Sequence, residues 1–293
     1  MSAGPYPRRA RAAELSTLRS SVPQGPPTVD ASDPWLAAWL PRVGRVHWGL
    51  ARVRLADARP GRRCRLDALA RYLQDVAEED AATSGLPATI GWMLRRTRFT
   101  VERFPSLGEE LTLATFCSAT GARWAERTTL VVGDRGAQVV GVAIWVALDL
   151  ASGSPARLDD RFFAVYGPSA EGRRASLRLQ LSGPGPEPGN RRSWPLRRAD
   201  LDVWGHANNA VAWAAVEEAL PEHPSVPLWA LVEHPQALLP TSTPELVVDP
   251  GPDGQGIWLV GDGTAEVLVA ARVQPASPVA EDRPTYGIQL PGS

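Results

Sequence analysis

Asp200-Leu-Asp-Val-Trp-Gly-His-Ala-Asn-Asn209 gathers two carboxylates, an imidazole and two side-chain amides into one short stretch. A strand-like run, Arg191-Arg-Ser-Trp-Pro-Leu-Arg197, precedes it, and an apolar run from Ala210 to Leu220 follows it. The polar cluster therefore sits where a loop enters a helix, with Asn208 or Asn209 as the expected N-cap. The first backbone N–H groups of a helix lack partners within it, so they can donate to an anion or to a polarised carbonyl. Asp202 can accept a proton from water or orient that water. His206 can act as a general base or donate to a carbonyl, with its tautomer set by a carboxylate neighbour. Beside free helix donors, such a loop has the parts for acyl chemistry. The plainer reading is that Asp202 and His206 tie a turn and cap a helix, as Asp200 reads as a turn residue.

Two sets of elements must hold this loop. Val46, Trp48 and Leu50 alternate with polar or small neighbours, the period of a half-buried strand. Leu66, Leu69, Leu73 and Val76 then recur at helical spacing with Tyr72 beside them, up to Gly85 and Pro87. Strands are expected over Trp92 to Phe104, Glu110 to Cys117, Arg123 to Val132 and Gln138 to Leu148. A Gly/Pro/Arg-rich linker spans 151–190, with a short strand over 175–181. The order then repeats: a strand ending near Arg197, the polar loop, a helix from Asn209 to Leu220, and strands over Leu228 to His234, Glu245 to Val248, Ile257 to Val260 and Thr264 to Val273. Gly61 and Gly205, each ahead of a helix, occupy comparable places in the two halves. One strand, one helix and four antiparallel strands, twice, predict an α+β fold in which each sheet curls around its helix. The divisions are a disordered tail over 1–43, halves over 44–150 and 191–275, and a flexible tail over 276–293. Trp35-Leu-Ala-Ala-Trp-Leu40 is the exception in the first tail, a short helix able to dock on the body.

Asp-x-Asp-x-x-Gly-His-x-Asn-Asn ahead of an apolar helix resembles the second-half signature of the acyl-ACP thioesterases, a hotdog-fold family. Arg65-Leu-Asp-Ala-Leu-Ala-Arg-Tyr-Leu-Gln-Asp-Val-Ala77 resembles the family's first central helix, and Trp92 to Glu109 its next strand and turn. The likeness runs from about Val46 to about Val248. It implies a tandem, or double, hotdog that pairs internally, and hydrolysis of fatty acyl-ACP to free acid and holo-ACP. It implies Asp202 and His206 as catalytic, and an acyl pocket between the first helix and its sheet. Leu69, Tyr72, Leu73, Val76, Met93 and Trp145 are the candidates for that pocket, with Trp204, Asn208 and Asn209 beside the reacting group. The chain departs from the family at Trp204, where an Asn is usual, and at Ala237 and Leu238, where a catalytic Glu and often a Cys fall. Glu233 and His234 are the nearest substitutes, beside Pro235. The implied partner is an acidic carrier bearing an acyl chain, for which Arg95, Arg96, Arg98, Arg123, Arg127, Arg191, Arg192, Arg197 and Arg198 offer a basic landing area.

Composition narrows the classes. All 31 basic residues are Arg, which excludes a Schiff-base or Walker lysine. A net charge of −1 does not point to nucleic acid. Cys64 and Cys117 lack metal-ligand spacing and read as reduced residues in or near the core, so no metal and no cofactor are expected. No apolar run reaches membrane-spanning length, and no signal-peptide core follows Arg8, Arg9 and Arg11, so the expected location is the cytoplasm. Association into a homodimer stays open. Beside the thioesterase reading stand two others: a hotdog that binds acyl-ACP or lipid chains without chemistry, and a dehydratase. The dehydratase needs a carboxylate on a central helix, and Glu78 and Glu79 lie at the far end of the first one.

Overall fold

The computed structural model describes residues 33–276, apart from 88, 185–189, 225, 252–253 and 262–265. A single turn, α1 (Pro34–Ala37), leads to β1 (His47–Arg52), α2 (Leu66–Thr83), β2 (Ile90–Arg103), β3 (Glu110–Thr120), β4 (Trp124–Gly133), β5 (Gln138–Asp149) and α3 (Asp160–Ala170). The second half contains β6 (Asn190–Ser193), α4 (Ala210–Ala219), β7 (Leu228–Glu233), β8 (Pro244–Gly251), β9 (Gly254–Gly261) and β10 (Val267–Pro275).

The strands form one antiparallel sheet in the order β1-β3-β4-β5-β2-β7-β10-β9-β8-β6. Read inward from its two edges, each half has the same order. The halves join where β2 pairs with β7, Arg96 opposite Glu233 and Val101 opposite Leu228. This is the α+β double hotdog that the resemblance implies.

The apolar stripe of α2 explains its position. Leu66, Leu69, Leu73 and Val76 are buried in one core together with Trp213 and Val216 of α4 and Phe99 and Val101 of β2. The rings of Phe99 and Trp213 lie 4.5 Å apart, so a residue of one half fills the core of the other. Helix α2 also lies close to the sheet at Gly141, where an added Cβ would fall 2.3 Å from Leu73 Cδ2.

Several expectations change. The linker carries a helix. Asp159 caps α3 by accepting from the Phe162 N–H at 2.9 Å. Phe162, Tyr166 and Ala170 recur at i, i+4 and i+8 and pack with Cys117, Ala125 and Ala147. Gly167 and Pro168 near its end obscured that period. Because α3 and the Trp35–Leu40 stretch together cover the outer face, β3 is buried almost continuously rather than alternately. The expected strand over 175–181 does not pair as one. The Trp35–Leu40 stretch docks, with Leu36 and Trp39 buried against Phe116 and Leu130. Residues 1–32 of the first tail and residues 277–293 lie outside the described residues. No described helix is long and apolar enough to cross a membrane.

Candidate active site

The polar loop is built by its own backbone. Residues Arg198–Asp200 form a single tight turn. The Asp200 carboxylate accepts from the Arg197 N–H at 2.7 Å and from its guanidinium Nη2 at 2.7 Å. Burial would raise the Asp200 carboxyl, but the Arg197 bonds outweigh it and hold it below the usual carboxylate range. The Asp202 N–H then donates to the His206 carbonyl at 2.7 Å, and the Gly205 N–H to the Asp202 carbonyl at 3.0 Å. Gly205 has φ 79°, which a glycine adopts without strain.

Within this turn, Asp202 Oδ1 accepts from the Trp204 and His206 N–H groups, both at 2.9 Å. The carboxylate thus fixes the peptide that presents His206. The His206 ring is exposed and makes no hydrogen bond among the described residues. Trp204, at the position where an amide was expected, is 69% exposed. Asn208 is the capping side chain, its Oδ1 accepting from the Ala210 N–H at 2.9 Å. Asn209 does not cap α4 with its side chain. Its backbone N–H has no acceptor among the described residues.

The first half contains the same loop, offset by a constant interval. Arg59 N–H donates to the Arg63 carbonyl at 2.9 Å, as Asp202 does to His206. Arg62 N–H donates to the Arg59 carbonyl at 2.8 Å, as Gly205 does to Asp202. The Arg65 N–H meets the Asp57 carbonyl and the Asn208 N–H the Asp200 carbonyl, both at 2.8 Å. Arg62 has φ 65°, so Gly205 corresponds to Arg62 and not to Gly61, correcting the expected match. Asp202 and His206 therefore stand where the first half has Arg59 and Arg63, and Asn209 where it has Leu66. Arg54-Leu-Ala-Asp57 and Arg197-Arg-Ala-Asp200 are the sequence trace of this repeat.

In the first loop the two arginines meet Glu217 of α4. Glu217 is 4% exposed and pairs with Arg63 and, at 3.2 Å, with Arg59. Its Oε2 accepts from the Leu66 N–H at 3.0 Å, which places a carboxylate on the first N–H of α2. The residue of α2 that corresponds to Glu217 is Gln74.

Gln74 lines a narrow cleft between α2 and the sheet, together with Leu73, Trp145, Asn209 and Trp213. Leu94 and Thr97 of β2 both reach it although three residues apart. A bulge at Arg95, between the Leu94 and Arg96 pairings, restores the face. The cavity volume is about 20 Å³, room for one water-sized group. Thr97 Oγ1 and Trp213 Nε1, both buried, have no partner among the described residues. None of the described residues lining the cleft is acidic.

Of the residues expected to hold substrate, Leu73, Trp145 and Asn209 line this cleft. Leu69 and Val76 are buried in the core beneath α2. The Tyr72 hydroxyl donates to Asp57 at 2.8 Å, outside the cleft. Met93 is 43% exposed on β2. Trp204 and Asn208 stay in the loop. Gln74, Thr97 and Trp213 were missed; the available signals were the position of Trp213 one turn after Asn209 and of Gln74 beside Leu73 on an apolar face.

Glu233 belongs to the opposite face. Val232 packs in the core facing the helices, so Glu233, one residue on, points outward. There its carboxylate accepts from the Gln180 and Leu181 N–H groups at 2.9–3.0 Å. Burial and the Arg95 charge push His234 down to about 4. Ala237 is exposed. Much of the arginine set is committed within the chain: Arg95 to the His234 carbonyl at 2.6 Å, Arg127 to Asp80 at 2.7 Å, Arg191 to Glu245 at 2.5 Å and Arg192 to Glu218 at 3.6 Å. Arg123 and Arg198 are exposed. Cys64 and Cys117 are buried and free; burial pushes both thiols up, that of Cys117 to about 12, so neither is a ready nucleophile. Among the described residues no group of three or more His, Cys, Asp or Glu side chains is placed to hold a metal.

Comparison with known proteins gives a consistent result. The family model described as the acyl-ACP thioesterase N-terminal domain matches residues 50–166. Two curated Mycobacterium tuberculosis proteins, uncharacterized protein MT2057 of strain CDC 1551 / Oshkosh and uncharacterized protein Rv2001 of strain ATCC 25618 / H37Rv, are each 30% identical over 197 residues, covering 66% of this chain and 78% of theirs. The solved 12:0-ACP thioesterase from Umbellularia californica superposes with a TM-score of 0.65 at 18% identity, over 79% of this chain and 97% of that one. An acyl-ACP thioesterase from Bacteroides thetaiotaomicron superposes with 0.65 at 15% identity, over 78% and 97%. At these identities the two solved structures speak for the fold.

Proposed function

This chain belongs to the acyl-ACP thioesterase family, and we propose that it hydrolyses an acyl thioester presented by acyl carrier protein. The observation that carries the reading is the backbone N–H of Asn209. It stands without an acceptor among the described residues at the start of α4, directly after the loop that holds Asp202 and His206. Its counterpart, the Leu66 N–H, already holds a carboxylate oxygen at 3.0 Å. A helix terminus of this geometry accommodates negative charge on oxygen.

In this reading water adds to the thioester carbonyl carbon and His206 takes its proton. The carbonyl oxygen becomes an oxyanion held by the Asn209 N–H. The C–S bond then breaks, the carrier thiolate recovers the proton, and the products are a free acid and a thiol. Asp202 positions His206 through the peptide N–H it accepts, and its second oxygen is available to orient the water. Leu73 and Trp145 border the entrance for the acyl chain. A cavity of about 20 Å³ admits that chain only after α2 and the sheet part locally.

The second reading is a hotdog that holds acyl-ACP without cleaving it. It is favoured by the lack of an acid among the described residues lining the cleft. Incubating the pure protein with a panel of acyl-ACPs and acyl-CoAs separates the two. Free thiol and free acid in equal amounts support hydrolysis; retention of intact acyl-ACP on the protein supports the binding reading.

A further inference from the structure

The two loop-to-helix junctions are related by an internal two-fold, and the residues reaching across from the opposite helix differ. Glu217 of α4 meets the first loop and puts its carboxylate on the Leu66 N–H. Gln74 of α2 occupies the corresponding place against the second loop and lines the cleft with Asn209. A carboxylate here would bind the Asn209 N–H as Glu217 binds that of Leu66 and exclude any incoming oxygen. The Gln74 amide leaves that N–H open, since the Asn209 N–H has no acceptor among the described residues, and its own NH2 group can donate. Two further observations point to an oxygen-bearing ligand: Trp213 is 0% and Thr97 4% exposed, both line this cleft, and neither Trp213 Nε1 nor Thr97 Oγ1 has a hydrogen-bond partner among the described residues. A buried donor without an acceptor is costly, and an oxygen acceptor relieves the cost.

We propose that Gln74 contacts the reacting end of the acyl group, donating with the Asn209 N–H to the thioester carbonyl oxygen and, after cleavage, to the carboxylate of the product acid. The proposal rests on the thioesterase reading above for the first of these ligands, and on the cleft alone for the second. It makes the reaction centre a joint property of the two halves: the loop comes from one and the amide from the helix of the other.

The test uses the full chain and two readouts. Binding of octanoate, dodecanoate and hexadecanoate is measured by calorimetry, and turnover is measured with acyl-ACPs. Gln74→Glu keeps the shape but puts a negative charge where Glu217 has one. It is expected to weaken binding of the best acid by about 10-fold or more and to lower kcat by about 10²-fold, the scale of a lost oxyanion donor. Gln74→Met removes the donors without charge and is expected to lower kcat by about 10-fold; it also serves if Gln74→Glu fails to fold. Parental binding and parental turnover in the folded variants would overturn the proposal. If the parent binds the acids but cleaves no thioester, and the variants lose that binding, the contact stands and the hydrolase reading falls. If the parent cleaves thioesters and the variants cleave them equally well, the hydrolase reading stands and the contact falls.

Discussion

The carboxylate of Glu217 accepts the backbone N–H of Leu66 at 3.0 Å, so a side chain of α4 caps α2 across the junction of the two halves. The same carboxylate neutralises Arg63, which is 9% exposed, and Arg59. Removing one partner from a buried ion pair leaves an uncompensated charge. Glu217→Ala is therefore expected to destabilise the fold by about 3–5 kcal/mol. Chemical denaturation followed by far-UV circular dichroism checks this, and a loss well under 1 kcal/mol would mean that water reaches the arginines.

The catalytic assignment makes a separate prediction. Asp202→Asn retains an oxygen able to accept the Trp204 and His206 N–H groups, so the loop should keep its shape. His206→Ala removes an exposed ring and little packing. Each variant is expected to melt like the parent and to lose about 10²-fold or more in kcat. Parental rates in both would leave the loop a purely structural turn.

Space in the cleft is controlled by a glycine. In Gly141→Ala the new Cβ falls 2.3 Å from Leu73 Cδ2 and 3.2 Å from Phe99 Cε1. The Leu73 side chain can move only at the expense of the cleft it lines. The expected cost in stability is about 1–3 kcal/mol, from overpacking. A larger relative loss of kcat/KM is expected for long acyl chains than for short ones, as a chain-length series would show.

Thr97→Val replaces an unpartnered buried hydroxyl with a methyl group of similar shape. In the free protein this should raise stability by about 1 kcal/mol, since an unsatisfied polar atom is removed. Thermal melts with and without dodecanoate test it. Stabilisation of the free protein together with a smaller ligand-induced shift is the expected pair of results.

His234 sets a pH dependence. Its folded value of about 4 lies below the ordinary 6.5, because burial and Arg95 disfavour the imidazolium. The unfolded chain therefore binds the proton first. The stabilisation is complete above about pH 6.5, declines as pH falls, and is gone once pH has passed through about 4. The loss is at most about 3 kcal/mol. His234→Gln should flatten this part of the stability profile measured by urea denaturation between those two pH values.

The sheet was legible because alternation and turns mark strands wherever one face is covered. β2 to β5 lie within a few residues of their expected spans. Helix α3 was not legible, since its N-cap and apolar triad sit in a segment whose Gly and Pro content reads as linker. The loop from Asp200 to Asn209 was found from residue types alone, but its partner was not. Glu217 and Gln74 become equivalent only once the hydrogen bonds of the two loops are compared, because Arg-x-Ala-Asp is too short to announce a repeat. Similarly, Leu94 and Thr97 share a face only through the bulge at Arg95, which strict alternation forbids.

The pairing of β2 with β7 bears on how the chain is made. Val101 finds its neighbour Leu228 only after more than a hundred further residues have left the ribosome. At roughly 5–20 residues per second, the inner edge of the first sheet stands open for on the order of 10 s during synthesis. An unpaired edge with an apolar face is a template for the wrong strand. Newly made first halves on one message are thus at risk of pairing with each other before their own second halves arrive. The arginines that flank Thr97 on β2, Arg96 and Arg98, supply like charges that oppose such a match.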